Sequence, residues 1–460
     1  MLVERSRKFS GKSSKSSLSL DFLLHALETL DNTFVMAVQE ASFSKQGSEA
    51  SAPGILTVLG SVVGLAFGPS VIAVLTISAY IQPIQQEFHW TLVQVSFAFT
   101  IVAYMIVLVS PLQGFFVDRF GPRRVVLTSI PLFGLSLAAL YFTPPNLFVY
   151  YVLWAVVPVA GLGLWPLGYL QAVMRWFDRK LGLALGCANA GIGVGSTIVP
   201  LITAALIPRY GWRGALLGLA ALVIFVSWPV VALCLREPDA ADVAAKQRQN
   251  RKAFGVPFGE LVREPSFWIL NVAFFMLGLT ATSLVSQQVP LLTEAGWTVE
   301  AARYLVTTIF GFALLIARVT VGFFMDHVFA PRVMQTVAIG GAIACVLYAT
   351  YPNAAIVSAI LLGFLLGAEF DVLAFLIKRY YGSAAYGRIY GVIFGVFYLG
   401  SGLGIAGLAW CRQHFGNYNT GLFIAAGVLI SSAVLMVLLP AYRYRTGAEP
   451  VVKAEAAPVV

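Results

Sequence analysis

Twelve runs of mainly apolar residues fill the chain, each near the ~20 residues that a helix needs to cross a bilayer. Their limits are 56–80, 92–116, 125–142, 147–173, 183–207, 215–235, 267–290, 303–325, 333–350, 354–377, 389–410 and 420–441. In lipid every backbone N–H and C=O must find a partner inside the protein, so runs of this kind fold as helices packed side by side. Composition points the same way. The chain is 59% hydrophobic and 11% charged, against about 25% charged in an ordinary soluble domain. The expected class is an all-α membrane protein with twelve transmembrane helices.

The longest internal polar stretch runs from Arg236 to about Pro265 and divides the apolar runs six and six. The expected organisation is a tail (1–55), a six-helix bundle (56–236), a cytoplasmic linker (237–266), a second six-helix bundle (267–441) and a tail (442–460). Within the linker, Phe258 to Val262 has the composition of a short interfacial helix. The loops on one side hold sixteen Lys/Arg; those on the other hold four, Arg209, Arg213, Arg303 and Arg412. The positive-inside rule therefore puts both termini in the cytoplasm, and the plasma membrane is the expected location. Arg5 to Ser19 is basic and Ser-rich, with no signal-peptide core after it. The tail is expected to be disordered and to take no part in transport, and Met36 is an alternative start.

The net charge of +9 does not read as a nucleic-acid footprint, because the basic residues lie in short loops with no clustered face. Cys187, Cys234, Cys345 and Cys411 are scattered, without metal-type or disulfide-type spacing. No cofactor or metal is expected.

The two halves repeat. Gly114-Phe115-Phe116-Val117-Asp118-Arg119-Phe120-Gly121-Pro122-Arg123-Arg124 joins the second and third spans. Gly322-Phe323-Phe324-Met325-Asp326-His327-Val328-Phe329-Ala330-Pro331-Arg332 joins the eighth and ninth, 208 residues later. Weaker echoes pair Arg175-Trp176-Phe177 with Arg379-Tyr380-Tyr381, and Tyr210-Gly211-Trp212 with Phe415-Gly416-Asn417. Such parallel repeats are related by an axis along the membrane normal. Gly114 removes a side chain where helices must approach closely. Asp118 can meet a helix N-terminus of the other half, whose dipole favours an anion. Arg119, Arg123 and Arg124 can pair with it or with lipid headgroups. The motif reads as a cytoplasmic latch or, more plainly, as positive-inside topology with no gating role.

Gly-x-x-x-Asp-Arg-x-Gly-x-Arg-Arg at this place resembles the signature of the major facilitator superfamily. The resemblance covers about 56–441 and implies two pseudo-symmetric bundles that rock around a central site. The second copy departs from it, with His327 for the basic residue and Ala330 for the glycine.

Three charges lie inside spans: Arg318, Glu369 and Asp371. Such residues face a cavity or a partner and are functional pointers. Counted at 1.5 Å per residue, all three sit ~10–14 Å inside one boundary. Arg318 either pairs permanently with Glu369 or Asp371, or binds an anionic substrate while a carboxylate takes a proton. Low-dielectric surroundings favour the neutral form of a carboxylate, which suits Glu369 or Asp371 to carry a proton. Ala317-Arg318-Val319-Thr320-Val321-Gly322 resembles the helix-8 segment of the monocarboxylate transporters and oxalate–formate exchangers. The resemblance implies that Arg318 binds the substrate carboxylate. Those families carry a lysine in helix 1 or helix 11, and this chain has neither, so a monoanion suits it better than a dicarboxylate.

Further candidates are Tyr398, Ser401, Asn189, Ser196, Gln287 and Gln288 as polar contacts, with Trp154, Trp165 and Tyr169 as aromatic walls for a substrate. The expected function is secondary active transport of a small organic anion, a monocarboxylate moved with a proton by a chain acting as a monomer. Rivals are efflux of a drug or metabolite, a receptor on the same fold, and a membrane enzyme. The last lacks a catalytic set beyond Glu369 and Asp371. No Gly-x-x-x-x-Gly-Lys-Ser/Thr loop is present, so no ATP-driven motor is visible.

Overall fold

The computed structural model describes residues 51–238 and 258–444. Most of the tail expected before the first span and most of the linker lie outside these residues, as does the chain after 444. All regular elements described are helical. We label the main ones α1 (Ala52–Ala66), α2 (Leu92–Phe120), α3 (Pro122–Ala139), α4 (Leu147–Ala160), α5 (Leu181–Leu222), α6 (Trp228–Cys234), α7 (Pro265–Ser286), α8 (Gly311–His327), α9 (Ala330–Thr350), α10 (Ala355–Tyr381), α11 (Tyr386–Phe415) and α12 (Asn419–Val437). Among the described residues, ten stretches are long and apolar enough to cross a membrane. One of them, Leu181–Cys234, turns at Gly211 and holds two spans; the interrupted α4 supplies another.

Local chemistry sets the helix ends. Thr91 and Gln94 form a capping box at the start of α2, and the Asn146 side chain accepts from the first amides of α4. Gly121, at φ 85°, ends α2, and Pro122 opens α3. Gly416 ends α11 in the left-handed region. Gly211 has φ 70° and ψ 175°, a region essentially reserved for glycine, yet a Cβ there would meet nothing within 4 Å. Gly211→Ala is therefore expected to cost ~1–3 kcal/mol through backbone strain alone, read as a lower melting temperature of the purified protein.

Several spans depart from the expected limits. The first begins at Ala52, inside the expected tail, and is not one helix. It passes through Gly68, a π-turn at Ser70–Leu75 and a 3-10 turn at Ile77–Tyr80 into Ile81–Phe88. The fourth breaks between Gly161 and Trp165 and resumes as Pro166–Met174. A Cβ at Gly163 would lie 2.5 Å from the Val125 carbonyl of α3, so this backbone irregularity is packed against protein, the condition under which a membrane tolerates it. Short helices Gln288–Glu294 and Val299–Tyr304 join α7 to α8. Of the interfacial stretch, Phe258–Leu261 is helical.

The six-plus-six arrangement appears in the packing. In one half α5 packs on α1 and α3, and α2 on α4; in the other α11 packs on α7, α9 on α10 and α12, and α8 on α10. The main contacts between the halves are α2 with α11 and α5 with α8. Glycines make these crossings close, as expected where lipid supplies no hydrophobic drive between helices. Gly182 and Gly186 of α5 face α8, while Gly191 and Gly195 face α1.

Candidate functional site

Arg318 is placed by small residues on both sides of α8. A Cβ at Gly186 would overlap its carbonyl, and one at Gly367 of α10 would lie 2.7 Å from Ala317. The helix is thereby held between α5 of one half and α10 of the other. The guanidinium is 2% exposed, so it faces the protein interior rather than lipid. Its nearest carboxylate is Asp371, with Nη1 4.0 Å from Oδ2, too far for a hydrogen bond. Among the described residues, Arg318 Nε and Nη1 have no hydrogen-bond partner.

Asp371, fully buried, accepts a hydrogen bond at Oδ1 from Asn189 Nδ2 of α5. Its Oδ2 has no hydrogen-bond partner among the described residues, and neither do Asn189 Oδ1 and Glu369 Oε2. Glu369 lies within the electrostatic range of both Arg318 and Asp371. An unsatisfied buried polar group costs ~1–3 kcal/mol, more when charged. A cluster with free guanidinium donors and free acceptors at the junction of two halves has the chemistry to take an anion and a proton.

Aromatic rings from both halves flank this cluster. Trp165, at the break in the fourth span, meets Tyr398 of α11 edge-on, with centroids 6.5 Å apart. Tyr398 is half-buried and also faces Phe370 and Phe394. The Trp165 indole N–H is buried with no hydrogen-bond partner among the described residues. The other candidates on helix 4 look elsewhere: Trp154 packs on Tyr150, and Tyr169 fills the space beside Gly64 of α1. Ser401 bonds Thr282 of α7 and the Phe397 carbonyl. Ser196 bonds the Gly193 carbonyl, Gln287 accepts from Tyr418, and Gln288 donates to Tyr348.

The repeated loops form matching crossings between the halves. Asp118 accepts from the backbone amides of Gly387 (2.8 Å) and Arg388 (3.0 Å) at the start of α11. Asp326 accepts from Gly182 (2.7 Å) and Leu183 (3.0 Å) at the start of α5. A Cβ at Gly114 would overlap the Gly387 carbonyl, and one at Gly182 would overlap that of Gly322. The basic partner of Asp118 is Arg388, at 3.6 Å, rather than Arg119, Arg123 or Arg124. Arg119 lies over the Phe120 ring, Arg123 bonds Glu237 and the Ala232 carbonyl, and Arg124 is exposed. The sequence reading missed Gly182, Gly387, Arg388 and the Lys378–Asp178 and Arg379–Asp178 pairs between the halves (3.3 and 3.2 Å). The sequence did carry a signal: Leu181-Gly182 and Tyr386-Gly387 stand 205 residues apart, close to the repeat offset.

Residues 63–347 match the family profile of the Major Facilitator Superfamily, and the chain belongs to that family of transporters. It is 29% identical to the oxalate:formate antiporter of Oxalobacter formigenes over 46% of this chain and 49% of that protein, so it spans about half the length of that relative. It is 26% identical to monocarboxylate transporter 13 of Rattus norvegicus over 72% of this chain and 76% of that protein. The fold is similar to that of the E. coli fucose:proton symporter, with a TM-score of 0.64, 15% identity, and 85% of this chain and 99% of that one covered. The protein is a multi-pass membrane transporter of this superfamily.

Proposed function

We propose that this transporter moves a small monocarboxylate together with a proton by alternating access, with Arg318 binding the carboxylate. The observation that carries the proposal is the buried guanidinium, with Nε and Nη1 free and a carboxylate 4.0 Å away. The names of the oxalate:formate and monocarboxylate relatives support a small carboxylate as the substrate class. Trp165, Tyr398 and Asn189 complete the site in this proposal. Glu369 and Asp371 supply proton-accepting groups, while Ser401, hydrogen-bonded to Thr282, ties α11 to α7. A single chain contains every one of these groups, which supports function as a monomer. The sixteen-to-four basic bias supports cytoplasmic termini and two bundles joined by a cytoplasmic linker over 237–266, and in this reading the chain sits in the plasma membrane. The Asp118 and Asp326 crossings then act as cytoplasmic latches that hold that side closed.

The test is uptake into liposomes holding the purified chain. Labelled lactate, or another member of a panel of mono- and dicarboxylates, is expected to accumulate when the lumen is alkaline and to leak back on addition of a protonophore. Accumulation of dicarboxylates alone, or gradient-driven export of cationic drugs instead, would reject the proposal.

A further inference from the structure

We infer that Asn189 and Asp371 form a proton-dependent clasp between the two halves, and that the proton moved with the anion rides on Asp371 in this pair. The inference rests on the symport proposal and assigns its proton to one atom. Two observations and one chemical consequence lead to it. Asn189 stands on α5 and Asp371 on α10, so their hydrogen bond joins the two halves. Each partner keeps one buried atom with no hydrogen bond among the described residues, Asn189 Oδ1 and Asp371 Oδ2. Those two atoms become complementary once Oδ2 carries a proton.

A carboxylic acid and a primary amide can pair through two hydrogen bonds, each group donating once and accepting once. Ionised Asp371 can take only one, from Asn189 Nδ2, and its free oxygen is drawn toward Arg318. Protonated Asp371 also donates Oδ2–H to Asn189 Oδ1. Both unsatisfied atoms are then paired, the halves are joined by two bonds rather than one, and the charge facing Arg318 is gone. The guanidinium then has no competing carboxylate on Asp371 when an anion arrives. Proton and anion thus stabilise the same state, and by linkage each raises the affinity for the other by the same factor. The proton comes from the aqueous phase on the loading side, forms one O–H bond, and leaves from the same oxygen on the other side.

The groups that face Asp371 fit this role. They are Arg318 from α8, Asn189 and Cys187 from α5, Glu369 from α10 itself and Tyr390 from α11. Only Asn189 offers both a donor and an acceptor amide atom. The hydrogen bond from the other half ends on Asp371, and no such bond is made by Glu369 Oε2.

Two measurements test the clasp. In liposomes, Asp371→Asn is expected to lose pH-gradient-driven lactate accumulation while retaining lactate–lactate counterflow at a tenth or more of the wild-type rate. Asn189→Ala is expected to lower gradient-driven uptake at least tenfold and to flatten its pH profile. Infrared difference spectra of the purified full chain between acidic and neutral pH need no substrate. A protonated-carboxyl C=O band should vanish in Asp371→Asn and shift in Asn189→Ala. A band that persists in both variants, or one lost only in Glu369→Gln, overturns the clasp. Wild-type protein that moves no carboxylate yet shows the Asp371 band refutes the substrate proposal and leaves the clasp standing.

Discussion

Replacement of Arg318 by glutamine is expected to abolish carboxylate uptake while the protein still reaches the membrane. Glutamine keeps a donor but loses the charge and the planar fork that engages a carboxylate through two parallel bonds. Removing one partner of a buried, hydrogen-bonded charge pair costs ~2–5 kcal/mol, or roughly 30-fold to several thousand-fold in affinity. The substitution also leaves Asp371 and Glu369 buried beside no cation, a defect that by itself destabilises a fold by ~3–5 kcal/mol. A control is therefore needed. Arg318→Gln combined with Asp371→Asn removes one charge of each sign and is expected to recover thermal stability without recovering uptake. Arg318→Lys keeps the charge as a single point and is expected to raise KM about tenfold or more with a smaller effect on kcat. Uptake by Arg318→Gln at the wild-type rate would remove this residue from the substrate site.

The sequence exposed the architecture because lipid leaves a chain few choices. Twenty apolar residues with satisfied backbones are a helix whatever they pack against, and the count of twelve follows from that alone. The breaks were less legible. Gly161, Gly163 and Pro166 are visible in the sequence, but whether a membrane helix opens at such residues depends on what covers the freed backbone. Here the cover is α3, through Val125 and Ser129. Depth is also a one-dimensional quantity, so counting residues set Arg318, Glu369 and Asp371 at one level. It could not say which of α8 and α10 turns toward α5, and Asn189 stood as one polar residue among several until the crossing was in view. The two repeated loops show the same division. Asp118 and Asp326 are conspicuous by their repeat, whereas the amides of Gly182, Leu183, Gly387 and Arg388 are backbone atoms. No side-chain pattern announces them.

Alanine at both Asp118 and Asp326 is expected to give the other large effect, a transporter that no longer closes at its basic end. Each carboxylate accepts two backbone amides at a helix start of the opposite half, where the dipole adds to the attraction. A hydrogen bond to a charged group is worth ~1.5–3 kcal/mol, reduced for Asp118 and Asp326 because both lie near the aqueous boundary. Taking ~1.5 kcal/mol as the net loss per latch, one substitution shifts the ratio of open to closed forms about tenfold. The latches act on different helix pairs, α2 with α11 and α8 with α5, but on one rigid-body equilibrium, so their free energies add and the double variant shifts it about a hundredfold. Cys187 gives a native probe. It is half-buried on α5, beside the Asp371 site and one and a half turns from Gly182. With the other three cysteines replaced, its labelling by a thiol reagent from the basic side should rise about tenfold in each single variant and about a hundredfold in the double. Uptake should fall in the same order. Asp118→Asn should lie between alanine and wild type, since it keeps an acceptor and loses the charge. Labelling that stays at the wild-type rate in the double variant would mean that the halves are held together by the glycine crossings and by the Asp178 pairs with Lys378 and Arg379, and that the two aspartates are not the latch.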